Sequence, residues 1–312
     1  MLENKIIVNH MELANRLVMP PMATEKSNHG SVSEDQISYY TVRAGYVGLI
    51  ILEHAYINQR GMASINQVNF SETADMEALK RLTDAVHAKG TTKICAQINH
   101  AGSKTKREIS GYMPLNVNSV QKDRIEKIKQ AFADAAVRAK EAGFDAVEVH
   151  GAHGYLLDQF YSPLTNFRED AYGGTLEKRC QFAVEVLQAV RKAVGPDFPM
   201  LFRFGAVDYQ AGGSQKEDAG KAAKLFEAAG ADLIDISGGM NGFMIRGNTT
   251  PGWFQDVSEL IRQNVSVPVL VTGGIQTREQ AEDILVNGKA DLIGIGRPVL
   301  RDPDYAKKIL SE

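Results

Sequence analysis

Four stretches of the chain repeat one order: a polar-and-apolar run with helical spacing, a glycine, a short turn, then a cluster of Val, Ile and Leu. They are Ala44-Gly45-Tyr46-Val47-Gly48-Leu49-Ile50-Ile51, Ala142-Gly143-Phe144-Asp145-Ala146-Val147-Glu148-Val149, Ala229-Gly230-Ala231-Asp232-Leu233-Ile234-Asp235-Ile236 and Asn287-Gly288-Lys289-Ala290-Asp291-Leu292-Ile293-Gly294-Ile295. Glycine suits the left-handed residue that ends a helix. The apolar run after it suits a parallel strand covered on both faces. Amphipathic spacing predicts helices over Met76 to Lys89, Arg124 to Ala142, Thr175 to Val194, Lys216 to Ala229 and Arg278 to Asn287. Strands are expected near Leu17–Pro20, Gly48–His54, Lys93–Asn99, Ala146–His150, Met200–Phe204, Leu233–Ser237, Pro268–Thr272 and Leu292–Gly296. Eight alternating units predict an α/β fold, a closed (β/α)8 TIM barrel with residues 1–312 as a single domain. The competing open, doubly wound sheet would place a glycine-rich dinucleotide fingerprint after its first strand, and none follows here.

Composition narrows the class. At 312 residues, 44% hydrophobic and 23% charged, the chain can bury a large core and is no disordered segment. A net charge of −3 and the lack of a basic face argue against a nucleic-acid partner. The most basic stretch, Lys104 to Arg107, reads as a short solvated loop. Met1 to Asn15 has no signal-peptide core, and apolar runs such as Val47 to Leu52 are too short to span a bilayer. A cytoplasmic protein without membrane contact is expected. Cys95 and Cys180 form no CxxC pair and read as packed, reduced thiols. An iron–sulfur cluster normally takes four cysteine ligands, more than this chain has.

Chemistry gathers at the predicted strand ends, where barrels of this class keep their sites. The loops there include two long ones, Gly102 to Asp123 and Gly238 to Trp253. Strands seven and eight end in Thr272-Gly273-Gly274-Ile275 and Gly296-Arg297-Pro298. Such turns let backbone N–H groups approach a phosphate, and Arg297 adds a bidentate cation. Arg203 lies between Phe202 and Phe204, where an unpaired guanidinium would be costly. It either faces an anion at the barrel mouth or pairs with a carboxylate such as Asp208. Gln97 offers donor and acceptor together. Gln97 with Arg203 suits the pyrimidine edge of a flavin. His150 and His153 could be zinc ligands, but no convincing further ligand set accompanies them. As neutral imidazoles they could instead donate to a carbonyl oxygen, with Tyr155 as a proton donor.

These residues carry a family resemblance. His150-x-x-His153-Gly154-Tyr155-Leu156, then Phe160-x-Ser162-Pro163-Leu164-x-Asn166-x-Arg168-x-Asp170-x-Tyr172-Gly173-Gly174 and Arg179, resembles the Old Yellow Enzyme family of FMN ene-reductases. So do Asn15 to Met22 and Gln97-Ile98-Asn99-His100-Ala101-Gly102. The likeness runs from about Asn15 to about Pro303. It implies FMN across the C-terminal mouth of the barrel, reduced by NADH or NADPH. Pro20, Pro21, Met22 and Ala23 would line the ring, and Gln97 and Arg203 would meet its pyrimidine end. Gly273, Gly274, Gly296 and Arg297 would hold the phosphate. His150 and His153 would grip the substrate oxygen, and Tyr155 would protonate the alpha carbon. The implied reaction reduces the activated C=C bond of small α,β-unsaturated compounds. Dienoyl or nitro-compound reduction and amine oxidation are the alternatives in the same pocket. A homodimer or homotetramer is the implied assembly, no metal is called for, and with only two cysteines the electrons are expected directly from the nicotinamide.

Three positions depart from the family pattern. Ala23 stands where Cys or Thr usually bonds the flavin, with Thr24 next to it. Glu25 falls near a position that is often a substrate-facing Tyr. His54 replaces a small residue beside the flavin. Glu25 and His54 read equally as pocket residues, substrate-binding and cofactor-binding respectively, or as surface loop residues.

Overall fold

The structure is a computed structural model that describes residues 1–311. It opens with a hairpin, β1 (Ile6–Val8) and β2 (Met11–Leu13), paired antiparallel with Ile6 opposite Leu13. The strands that follow are β3 (Leu17–Met19), β4 (Leu49–Ile51), the short β5 (Ala55–Tyr56), β6 (Lys93–Asn99), β7 (Ala146–Gly151), β8 (Met200–Val207), β9 (Leu233–Gly238), β10 (Val269–Thr272) and β11 (Leu292–Gly294). All pair in parallel. β3 bonds both β4 and β11, and β4 bonds β6, so eight strands close into a barrel while β5 extends the far end of β6. The expected (β/α)8 architecture is therefore present.

Helices cover the outside: α1 (Glu34–Thr41), α2 (Met76–His87), α3 (Arg107–Ser110), α4 (Lys122–Glu141), α5 (Leu156–Tyr161), α6 (Leu176–Val194), α7 (Lys216–Ala228), α8 (Gln255–Arg262), α9 (Arg278–Val286), α10 (Arg297–Arg301) and α11 (Tyr305–Ser311). Side chains of Ser33, Asp75, Thr175 and Thr277 cap α1, α2, α6 and α9 by accepting from the first-turn N–H groups. No described helix is long and apolar enough to cross a membrane.

The strand period of two divides the core. Outward residues such as Ile50, Ile94, Val147, Phe202, Ile234 and Val271 pack against the helices. Inward residues Val18, Leu49, Ile51, Cys95, Ala146, Leu201, Leu233, Leu270 and Leu292 form a second cluster with Val8, Met11 and Leu13 of the hairpin. The hairpin thus stoppers the N-terminal end of the barrel. Full burial of each such side chain stabilises by about 1.5–3 kcal/mol. Cys95 and Cys180 are both free and buried, as expected.

One expectation needs correcting. The second barrel strand does not run from Gly48 to His54. It ends at Ile51. The Leu52 N–H still bonds the Cys95 carbonyl at 2.8 Å, and the chain then turns before β5. That turn decides where Glu53 and His54 go.

Candidate active site

Two residues up the barrel from Cys95, Ala146, Leu201 and Leu233, the inward positions become Gln97, Glu148, Arg203 and Asp235. All four are buried, none more than 3% exposed. Gln97 Nε2 donates to Glu148 Oε2 at 2.6 Å, and Arg203 Nη1 lies 3.3 Å from Asp235 Oδ2. Arg203 therefore pairs with Asp235, across the β8–β9 register. The suggested partner Asp208 is committed elsewhere: it accepts from Ser162 Oγ, the Ser214 N–H and the Met240 N–H at 2.6–2.8 Å. Arg203 Nε and Nη1 have no hydrogen-bond partner among the described residues. A buried guanidinium with unused N–H groups fits an anionic ligand edge.

Next along the barrel are three imidazoles and a phenol. His150 and His153 have ring centroids 5.0 Å apart, and Tyr155 lies 5.2 Å from both His150 and His54. His153 sits in left-handed backbone (φ 59), which turns the chain sharply from β7 towards α5. A non-glycine residue there stores about 1–3 kcal/mol, as functional sites often do. His153 Nε2 and Ser237 Oγ share a hydrogen bond at 2.6 Å. His150 Nδ1 accepts from the Ala152 N–H at 3.2 Å, which leaves its ring proton on Nε2. Burial first, then the neighbouring cations, hold His150 and His153 well below the usual histidine range. The same causes put His54 at about 4. At neutral pH all three rings are uncharged, each with one N–H and one lone pair. Burial, with the Glu25 charge second, pushes the Tyr155 phenol up, so it stays protonated.

His54 belongs to this cluster. Gln67 Oε1 accepts from the Ala63 N–H, which turns its Nε2 to His54 Nδ1 at 2.9 Å; Asn99 Nδ2 is 3.3 Å from the same atom. Glu25 is exposed, accepts from Ser64 Oγ at 2.7 Å and reaches Tyr155 only through its charge. Thr24 does not replace the donor missing at Ala23. Its hydroxyl and its N–H both go to Glu53, at 2.6 and 2.8 Å. Gln36 Nε2 and Tyr40 Oη complete the shell of that buried carboxylate. Glu53 thereby ties the Pro20–Thr24 segment to α1.

The glycine turns close the other side. A side chain on Gly296 would sit 3.3 Å from Met22 Sδ and 3.5 Å from Pro20 Cγ, so the Pro20–Met22 segment adjoins the β11 turn. Gly273 (φ 135) and Gly274 (φ 71) need glycine for their backbone. Trp253, the only tryptophan in the sequence, packs on them. Its Nε1 is buried without a hydrogen-bond partner among the described residues, and Arg297 Cζ stands 5.1 Å over its ring. Glycine turns without Cβ atoms, beside an unpartnered donor and an arginine, suit a phosphate. Pro21, Met22 and Ala23 are partly or wholly exposed at this rim.

The family model described as NADH:flavin oxidoreductase / NADH oxidase matches residues 4–312. The chain belongs to that family. It is 40% identical to an NADH oxidase of Thermoanaerobacter brockii over 96% of its length, covering 49% of that protein. It is 39% identical to an NADPH dehydrogenase of Clostridium acetobutylicum, covering 96% of this chain and 91% of the relative. A metal reductase of Desulforamulus reducens is also covered by only 48%, so the chain spans about half the length of these longer relatives. Among solved structures, an old yellow enzyme homologue from Zymomonas mobilis matches with a TM-score of 0.87 at 25% identity, over 99% of this chain and 92% of that one. A 2-naphthoyl-CoA reductase complex matches with a TM-score of 0.92 at 26% identity, over 99% of this chain and 52% of that one. The Old Yellow Enzyme resemblance holds. Membership implies FMN and an oxidoreductase, and the unused Arg203 donors and the glycine turns fit that cofactor.

Several site residues escape sequence reasoning. Glu148 and Asp235 are lone acids in apolar strands at inward spacing, and that signal was readable. Glu53 and Trp253 carry no such signal. Lys104 is not simply solvated: its Nζ donates to the His153 carbonyl, and burial lowers its pKa.

Proposed function

We propose that the protein takes electrons from NADH or NADPH and reduces the activated C=C bond of small α,β-unsaturated compounds. Bound FMN supplies the hydride chemistry. Gln97 and Arg203 would hold its ring, and Gly273, Gly274, Gly296 and Arg297 its phosphate. Pro20, Pro21, Met22 and Ala23 would line the ring, with His54 beside them.

The observation that carries the reading is the packing of neutral imidazoles against a protonated phenol. His150 and His153, 5.0 Å apart, can direct two N–H groups at one substrate oxygen. Being neutral, they add no charge beside Arg203. Charge that develops on that oxygen meets donors already in place, and removing one such donor typically costs about 10²–10³ in rate. Tyr155 holds its proton at Oη and can deliver it to the alpha carbon. Its partial burial reduces the access of water as a competing proton source.

The test is Tyr155→Phe in the FMN-loaded enzyme. Reduction of the flavin by nicotinamide should persist, while turnover of an enone or nitroalkene falls by about 10²–10⁴-fold. Unchanged alkene turnover would remove Tyr155 from the role.

A further inference from the structure

Two buried acids have no part in that scheme. Glu148 on β7 and Asp235 on β9 are both 0% exposed. Around them stand Gln97 and Cys95 on β6 and Arg203 on β8, with Leu270 of β10 opposite Asp235 and the His54, His150 and His153 rings beyond Arg203. Among the described residues, Arg203 is the one cation in contact with the pair.

Their oxygens do not close as two carboxylates. Ionised, both groups only accept. Among the described residues, Glu148 Oε1, Asp235 Oδ1 and Asp235 Oδ2 would then be buried without a hydrogen bond, with only the Arg203 ion pair reaching Oδ2. The two side chains nevertheless lie within hydrogen-bonding reach of one another, and a bond between two carboxyl oxygens requires a proton. A second buried negative charge against a single guanidinium would also be uncompensated, which is strongly unfavourable. Burial, reinforced by the Asp235 charge, raises Glu148 to about 8. Burial raises Asp235 too, opposed by the Arg203 charge and by the hydrogen bond from Glu148.

We propose that Glu148 and Asp235 hold one proton between them, with the Glu148 O–H donating to the Asp235 carboxylate, and that this neutral acid positions Arg203 as a cation balanced by a single carboxylate. Gln97 completes the arrangement by donating to the carbonyl oxygen of the acid. The inference rests on Arg203 facing the pyrimidine edge of FMN, which carries partial negative charge when oxidised and a full one when reduced. Ionising Glu148 would set a second negative charge behind Arg203 and weaken its hold on that edge. Glu148 acts through Arg203 and is a positioning residue.

Glu148→Gln mimics the neutral acid: its amide can donate to Asp235 and accept from Gln97. FMN affinity of the whole protein, read by quenching of flavin fluorescence from pH 7 to pH 9.5, should weaken in the wild type beyond about pH 8, approaching tenfold per pH unit. Glu148→Gln should bind FMN within a few-fold of wild type at pH 7 and lack that extra alkaline loss. Taking the ratio of the two proteins cancels ionisation of the flavin itself. Infrared spectra of the flavin-free protein give an independent reading. In the difference spectrum of wild type minus Glu148→Gln, which cancels the buried Asp158 carboxyl, a carboxylic-acid C=O stretch should be present at pH 7 and titrate away at alkaline pH. The same alkaline loss in both proteins, or no acid stretch at pH 7, overturns the proposal. If neither protein bound FMN, the flavin reading would fail, and the infrared band would still decide the shared proton.

Discussion

His100 gives a direct test of how burial sets protonation in this barrel. It is 0% exposed, its Nδ1 accepts from the Gly102 N–H at 3.0 Å, and its Nε2 is buried without a partner. A side chain on Gly61 would come within 2.6 Å of the ring, so no water has room on that side. Burial, then the Arg124 charge, lowers its pKa from 6.5 to about 3. With the folded value depressed, the unfolded chain takes the proton first as pH falls. The stability associated with neutral His100 is therefore complete above pH 6.5 and is lost on the way down to pH 3. At about 1.4 kcal/mol per unit, falling from pH 6.5 to 5 removes about 2 kcal/mol. Glu148 works with the opposite sign, because its raised value favours the folded state at lower pH. A single-protein pH curve therefore mixes the two. Comparison with His100→Asn isolates the imidazole, since the Asn Oδ1 can still accept from the Gly102 N–H. Urea unfolding of both proteins at pH 7.5 and pH 5 should show wild type losing about 2 kcal/mol more than the variant across that interval. Equal losses in the two proteins would mean that the ring is not held neutral.

Other expected outcomes follow from the same geometry. Gly274→Ala puts a Cβ 2.7 Å from Trp253 Nε1 at φ 71 and should weaken FMN binding at least tenfold, whereas Gly288→Ala, at φ 68 away from the turn, should leave binding intact; equal effects would remove Gly274 from the phosphate site. Because Thr24 is occupied by Glu53, Ala23→Cys should raise the reduction potential of the bound flavin, and no rise would show that this position does not reach the ring. Leu13→Ala, in the hairpin that stoppers the barrel, should cost about 2–5 kcal/mol in urea unfolding without changing FMN affinity; a cost below about 1 kcal/mol would make the hairpin dispensable.

The barrel was legible because parallel strands buried on both faces and glycine-ended helices leave a local mark. Ala142-Gly143 before β7 and Ala229-Gly230 before β9 mark where each helix stops and its strand begins. The hairpin was not legible: β1 and β2 are three residues each, too short for a period of two to stand out, and what fixes them is the distant barrel interior. Within the site, His150, His153, Tyr155 and Arg203 are readable because polar residues at strand ends are unusual in such apolar surroundings. Partner choice is different. Arg203 selects Asp235 over Asp208 through register between strands 32 residues apart, as Asp235 lies opposite it. Glu53 and Thr24 meet 29 residues apart, through a turn that no local residue preference announces.

The break after Ile51 has a consequence for how this site can change over time. Two adjacent residues leave the strand in opposite senses: a carboxylate into a shell of donors under α1, an imidazole into the cluster of His150 and Tyr155. Inserting one residue before Glu53 would present an anion to the imidazole cluster, and deleting one there would strand a histidine among groups arranged for a negative charge. An irregular stretch of chain, ordinarily the most forgiving place for length variation, is here the place where spacing should be least negotiable.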